Sequence, residues 1–266
     1  MDIPFLWLFL LGFGTGVVGG FLGIGGGVII TVVLLEWFKA QGIPLDLRFH
    51  LAFGTTLLAI FGTAASATAT YARMKRVLWP AATIMGAAAV ATSLLGSWLA
   101  AESSGPVLKT FLAAFCVVNA ILLLRNSRAS SDGNSRKALP KYLVIGALAG
   151  LVSAYLGLAG GVVMVPLMLL WVRLPAEKAP GTSSAVGILT SLVGAVGYAW
   201  QGSGAAHLPE GAWGFVLPSL AIPVMIGTIA GAPIGSLLNR RFGRKSFRYA
   251  FAIFLILMAA RVYFKG

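Results

Sequence analysis

Two clusters of glycine interrupt apolar stretches of the chain. Gly23 to Gly27 stand within GFLGIGGGVIITVVLL (20–35), and Gly157 to Gly161 within AYLGLAGGVVMVPLML (154–169), a matching stretch 134 positions later. A break in an apolar helix at membrane depth is tolerated only where the freed backbone is buried in protein or lines a water-filled cavity. The helix that restarts after the break opens with up to four N–H groups that have no intrahelical partner, and with about half a positive charge. That is chemistry for holding an anion, and glycine lets the anion approach because no Cβ intervenes. Gly25, Gly26, Gly27, Gly160 and Gly161 are therefore candidate anion-binding residues. Close packing of helices is the other use of small residues. It suits Gly12, Gly16 and Gly20, which lie outside the breaks.

Hydroxyl groups follow each cluster at the start of the next apolar run, as Gly54-Thr55-Thr56 and as Gly181-Thr182-Ser183-Ser184. Thr55, Thr56, Thr182, Ser183 and Ser184 can donate to a substrate oxygen, and their amides add to a helix N-terminus. The alternative is a bond back to a carbonyl one turn earlier. Tyr71 and Tyr198 read as anchors at the membrane interface. Asn119 reads as a hydrogen-bonding residue between helices. All seven acids (Asp2, Glu36, Asp46, Glu102, Asp132, Glu177, Glu210) and both histidines (His50, His207) stand in gaps or at run ends. No buried carboxylate or histidine relay is therefore expected. An enzyme would need an acid–His or Ser–His set at depth, so none is expected either. The lone Cys116 allows no intrachain disulfide and no cysteine-based metal site. The site is one of dipoles and hydroxyls, with no metal and no cofactor.

The elements that carry these residues belong in lipid. The chain has 266 residues, 58% hydrophobic and 10% charged, with mean hydropathy +0.91. Soluble domains carry about 25% charged residues. The net charge of +13 would suggest nucleic acid in a soluble protein. Here the basic residues cluster in short gaps between apolar runs, as cytoplasmic loops of membrane proteins do. The bilayer is the expected partner and nucleic acid is not. Runs lie at about 4–38, 50–72, 78–100 and 107–125, and again at about 141–172, 180–200, 213–239 and 246–264. Six of them fit one crossing of about 20 residues each. The first run of each set is too long for one crossing and is expected to enter and return at its glycine break. The start, MDIPFLWLFL, with Asp2 where a leader carries a base, reads as a membrane helix and not a cleaved signal.

The halves match along their length: AFGTT (52–56) with APGTSS (179–184), Tyr71 with Tyr198, and LGSWLA (95–100) with IGSLLN (234–239). The expected organisation is a first repeat over 1–125, a polar basic cytoplasmic linker over 126–140, and a second repeat over 141–266. Arg73, Lys75 and Arg76 in one gap, and Arg240, Arg241, Arg244, Lys245 and Arg248 in another, place both gaps inside with the linker. Gap 201–212 holds no Lys or Arg and falls outside. These assignments require about five membrane segments per half. An odd number inverts the second half relative to the first and leaves both termini external. Lys39, Arg48, Arg261 and Lys265 then lie outside, against the rule.

The segments GFLGIGGGVII and AYLGLAGGVVMVPLM, with AFGTT and APGTSS behind them, resemble the TauE/SafE sulfite exporter family of bacterial and plant membrane proteins. Length, repeat and basic linker are similar too, and the resemblance covers essentially the whole chain. It implies export of a small sulfur-containing anion, such as sulfite, sulfoacetate or another organosulfonate, across the cytoplasmic membrane, without fixing which. The expectation is an all-α polytopic membrane protein of two inverted repeats with glycine-broken re-entrant or half helices. The anion would sit near the midplane between the breaks and be exported by alternating access as the halves rock. An anion channel using the same site without alternating access is the competing expectation. A scaffold role is a weaker competitor, and a homodimer is left open.

Overall fold

The computed structural model describes residues 4–124, 139–158, 160–241 and 244–265. Most of the basic linker, and with it the boundary between the proposed repeats, lies outside the described residues. Among the described residues the chain forms ten α-helices and no β-sheet. Five precede the linker: α1 (Phe5–Leu22), α2 (Gly27–Ala40), α3 (Leu45–Arg73), α4 (Trp79–Ala101) and α5 (Gly105–Leu124). Five follow it: α6 (Leu139–Tyr155), α7 (Gly161–Leu170), α8 (Ala179–Gln201), α9 (Pro218–Arg241) and α10 (Arg244–Lys265). Six are long and apolar enough to cross a bilayer: α1, α3, α4, α5, α8 and α9. Large apolar side chains such as Trp7, Leu94, Ile121, Val196 and Ile253 are exposed on the outer surface. Only an apolar solvent accommodates such a surface. The protein is a multi-pass helical membrane protein.

Each long first run divides where its glycines stand. Gly23 closes α1 in the left-handed conformation (φ 70°), with its N–H on Gly19 O at 2.8 Å. Gly25 and Gly26 follow at φ 76° and 71°. Three left-handed residues in four positions are cheap only for glycine. At the second break Gly157 is left-handed at φ 63° and Gly160 is helical. The helices restarted by the breaks are short, 14 residues in α2 and 10 in α7. At 1.5 Å per residue they reach about 21 and 15 Å, short of a hydrocarbon core about 30 Å thick.

Small residues set the packing between halves. A Cβ added to Gly12, Gly16 or Gly20 of α1 would lie 2.1, 2.6 or 2.2 Å from the carbonyl oxygens of Val224, Thr228 and Ala232 of α9. The matching residues of α6, Gly146 and Gly150, meet Met85 and Ala89 of α4 at 2.3 Å each. Gly235 on α9 meets Val17 O of α1 at 1.9 Å, and Gly96 on α4 meets Leu151 O of α6 at 2.4 Å. The Gly12 and Gly16 contacts have counterparts in those of Gly146 and Gly150, and Gly235 in that of Gly96, whereas the residue matching Gly20 is Ala154. The glycine-to-packing assignment for Gly12, Gly16 and Gly20 agrees with this.

The connections gather at two ends. At one end Arg76 pairs with Glu177 at 3.9 Å, and Lys141 Nζ reaches Trp171 O at 3.5 Å. At the other, Asp46 Oδ1 accepts Gly105 N–H at 2.6 Å, and Tyr155 Oη meets Ser103 Oγ at 3.0 Å. His50, expected at a run edge, is buried there. Its Nε2 lies 2.8 Å from Ala100 O, its Nδ1 against Asp46 O, and its ring against Phe215. Asn119 departs from expectation: its side-chain N–H donates to Phe115 O at 2.9 Å, one turn back in its own helix. At that range its own backbone supplies the acceptor and no second helix is needed.

Candidate functional site

The two breaks are buried and touch each other. Gly25, Gly26, Gly27, Gly160 and Gly161 are all buried, as are Ile24 and Leu158 beside them. The Gly23 carbonyl is the junction. Ser183 Oγ donates to it at 2.8 Å, and a Cβ on Gly161 would fall 2.2 Å from it and 2.7 Å from Ile24 Cα. Nothing larger than glycine fits at 161 without parting the breaks. Gly26 is enclosed from the other side, where a Cβ would lie 2.5 Å from Thr15 O. Gly160 is less confined: its nearest neighbour is the flexible Met164 Cε at 2.7 Å.

The amides at these starts divide into two kinds. Ile29 and Ile30 donate to Gly26 O, and Val163 and Met164 to Gly160 O. Gly27 and Val28, and Gly161 and Val162, are the first helical residues, whose N–H groups have no carbonyl within their own helix to bond. Gly161 thus puts first-turn amides and the positive end of α7 at the junction, while α2 opens at Gly27, four residues past Gly23.

The hydroxyls separate by position in the motif. Thr56 Oγ1 lies 3.1 Å from Thr31 Oγ1, a residue of α2 one turn past the break. Ser183 is at the junction itself. Thr55 and Thr182 are turned elsewhere: Thr55 Oγ1 accepts Leu217 N–H at 3.0 Å, and Thr182 Oγ1 accepts Leu78 N–H at 3.0 Å while donating to Lys178 O. They hold the residues that open α9 and α4. Ser184 bonds back to Pro180 O at 2.9 Å. The fold therefore brings Gly161 and Ser183 to Gly23 and Ile24, pairs Thr56 with Thr31 one turn past the first break, and leaves Thr55, Thr182 and Ser184 with structural bonds. Thr31 was legible only as one hydroxyl inside an apolar run.

Tyr71 and Tyr198 are fully buried, not at the interface. Tyr71 Oη donates to Gly20 O at 2.8 Å and Tyr198 Oη to Tyr155 O at 3.3 Å. Both satisfy carbonyls at the last turn of a broken helix, where C-terminal carbonyls have no intrahelical donor. Their rings fit because Gly181 and Gly54 are opposite: a Cβ there would meet Tyr71 Cβ at 2.8 Å and Tyr198 Cβ at 2.9 Å. Ser153 Oγ likewise donates to Leu158 O across the second break.

The family described as sulfite exporter TauE/SafE matches residues 8–262. The chain is 26% identical over 255 residues to a Methanocaldococcus jannaschii protein named "Probable membrane transporter protein MJ0441", covering 94% of this chain and 92% of that one. It is 23% identical to "Probable membrane transporter protein YunE" of Bacillus subtilis, covering 99% of each. A Haemophilus influenzae protein named "Probable membrane transporter protein" is 22% identical, covering 96% and 97%. No solved structure matches the chain. With a glycine break on each side of the linker, ten helices among the described residues and a family match over nearly its full length, this chain belongs to the TauE/SafE sulfite exporter family of membrane transporters.

Proposed function

We propose that the protein exports a small sulfur oxyanion, sulfite or an organosulfonate such as sulfoacetate, by alternating access between two inverted halves. The observation that carries this reading is the junction of the breaks. The start of α7 at Gly161 meets Gly23 and Ile24 of the first break beside Ser183, α2 opens four residues past Gly23 with Thr31 and Thr56 one turn farther, and no carboxylate is among those residues. An oxyanion with three oxygens can take donors from both halves at once. Gly161 and Gly23 are in direct contact, so an anion enters between them only when the halves separate. That favours rocking over a permanently open channel.

Inversion is supported by the direction of matched helices. Gly194 of α8 meets Leu57 of α3, and Gly187 meets Ala64, so the contact runs down one helix as it runs up the other. α3 and α8 correspond in the repeat, and they cross antiparallel. The reciprocal α1–α9 and α4–α6 contacts fit the same two-fold relation. We place the end bearing Arg73, Lys75, Arg76, Lys141 and Arg173 in the cytoplasm, by the positive-inside rule. Both termini are then external, and the membrane is the cytoplasmic one. The relatives' printed names, as transporters, favour transport over catalysis.

Flux of sulfite and sulfoacetate into proteoliposomes tests this reading. Saturable uptake that is accelerated by substrate on the trans side is the expected result. Non-saturating flux without trans-stimulation would make the protein a channel. No flux of any sulfur oxyanion would overturn the substrate assignment.

A further inference from the structure

The repeat gives each place in the fold a counterpart. AFGTT and APGTSS align α3 with α8 at an offset of 127 positions (Ala52 to Ala179), and LGSWLA and IGSLLN align α4 with α9 at 139 (Leu95 to Ile234). At both ends of the molecule a loop of one half lies on the first turns of a helix of the other. A Cβ on Gly181 of α8 would lie 2.6 Å from Arg76 O, and one on Gly54 of α3 would lie 2.3 Å from Phe215 O. Leu78 N–H donates to Thr182 Oγ1 and Leu217 N–H to Thr55 Oγ1, each at 3.0 Å. The same offsets match Arg76 with Phe215 and Glu177 with His50. Each couple is in contact across the halves. Glu177 Oε2 lies 3.9 Å from Arg76 Nη2, and the His50 and Phe215 rings are centred 4.9 Å apart. One place thus joins the halves at both ends, through charge at the basic end and through rings at the other.

As a brace the charged version is weak. At 3.9 Å the guanidinium and the carboxylate are outside hydrogen-bond range, and Glu177 is 60% exposed, where an ion pair adds little to stability. Arg76 is the more enclosed partner. Its side chain is 21% exposed, and among the described residues its guanidinium makes no hydrogen bond. A fork of N–H donors therefore faces the mouth, matched in shape to any group that offers two oxygens. Sulfite and sulfonates offer them as a carboxylate does. Position adds to this. A Cβ on Gly23 of the first break would lie 2.4 Å from Pro180 Cα, beside the Gly181 that carries the Arg76 loop. Ser183, which holds Gly23 O, is four residues past Ala179, about 6 Å along α8. The Arg76 loop lies over the helix turn that reaches the junction.

We infer that Arg76 receives the oxyanion at the basic mouth, and that Glu177 is the carboxylate the anion displaces there. This inference rests on the oxyanion reading above. The anion takes over the guanidinium, an ionic tie between the halves is lost, and the way toward Gly23 and Ser183 opens. The receptor belongs to one mouth. At the other, rings occupy the corresponding positions, and both His50 nitrogens already lie against the carbonyls of Asp46 and Ala100.

The test uses Arg76→Gln, Glu177→Gln and the double variant of the full chain. KM for sulfite and sulfoacetate is measured in proteoliposomes. The sulfite concentration that gives half of the rise in Tm is measured in detergent. Arg76→Gln should raise both about tenfold or more, the loss of a charge-assisted hydrogen bond. Glu177→Gln should lower both about two- to fivefold, because the competing carboxylate is gone. The double variant should match Arg76→Gln, since Glu177 acts only through that guanidinium. A pair that merely braces the halves gives another pattern, in which both single variants shift in the same direction or neither shifts. Either result, with wild-type protein transporting, overturns this inference alone. No saturable flux and no sulfite-induced Tm rise in wild type overturns the functional reading and this inference together.

Discussion

Single residues here divide between holding the fold and leaving room for the anion. Thr55 and Thr182 hold: each is fully buried and accepts the N–H of a residue that opens a helix of the other half, Leu217 before α9 and Leu78 before α4. Thr55→Val and Thr182→Val should each destabilise the protein by about 1–3 kcal/mol, because a buried amide loses its acceptor. Thermal unfolding in detergent checks this, and serine at the same positions should recover the loss. Gly161 leaves room. Gly161→Ala places a methyl where Gly23 O now sits, 2.2 Å away, and should abolish flux by keeping the halves from closing. Gly14→Ala is the contrasting case, since nothing lies within 4 Å of its added Cβ. Flux should persist there, with stability raised by up to about 1 kcal/mol from helix propensity. If Gly161→Ala transports as well as Gly14→Ala, close contact of the breaks is not part of the cycle.

At the scale of elements, the decisive pairs are α1 with α9 and α6 with α4. Lipid gives no hydrophobic drive for helices to associate, so close backbone approach through small residues supplies it. Gly227, Gly231 and Gly235 of α9 face carbonyls of Phe9, Phe13 and Val17 at 2.2, 2.2 and 1.9 Å from an added Cβ. Gly231→Leu should force α1 off α9, with a loss of at least the 1–3 kcal/mol typical of overpacking. Gly150→Leu should do the same at the α4–α6 pair. Size-exclusion profiles and Tm report both. A Gly231→Leu protein that stays monodisperse with wild-type Tm would mean that this contact contributes little. The short helices α2 and α7 hang from these pairs, so a change in α1–α9 or α4–α6 geometry is the natural way to move the breaks.

For the whole molecule the testable matter is direction. Cys116 is buried and is the chain's single cysteine, so its replacement by alanine gives a background for labelling. Arg73→Cys lies at the basic end and Ser203→Cys in the loop at the other. In intact cells an impermeant thiol reagent should modify position 203, and position 73 only after permeabilisation. The reverse pattern would turn the molecule over in the bilayer and make the proposed export path an import path. Two of the four cations that the proposed orientation puts outside are engaged locally. Arg261 pairs with Glu36 at 2.8 Å, and the Arg48 guanidinium turns to Ile43 O at 3.3 Å. Charges engaged in this way exert less pull on orientation than the open cluster at the other end.

Local chemistry made much of this protein readable from the residues in order. A left-handed turn inside an apolar run admits only glycine at little cost, so Gly23, Gly25 and Gly157 marked the helix breaks. Apolar length marked the spans, and the matched stretches marked five helices on each side of the linker. What tertiary structure alone decided was the use of each polar group, because a hydroxyl bonds whatever the fold brings within 3 Å. Thr55 and Ser183 stand in matching motifs, yet one accepts an amide from α9 and the other holds the carbonyl of the first break. Tyr71 and Tyr198 looked like surface anchors until opposing glycines made room for them in the core. Arg76 and Glu177 read as charges of two separate gaps until the fold set them 3.9 Å apart across the halves, which no linear pattern records.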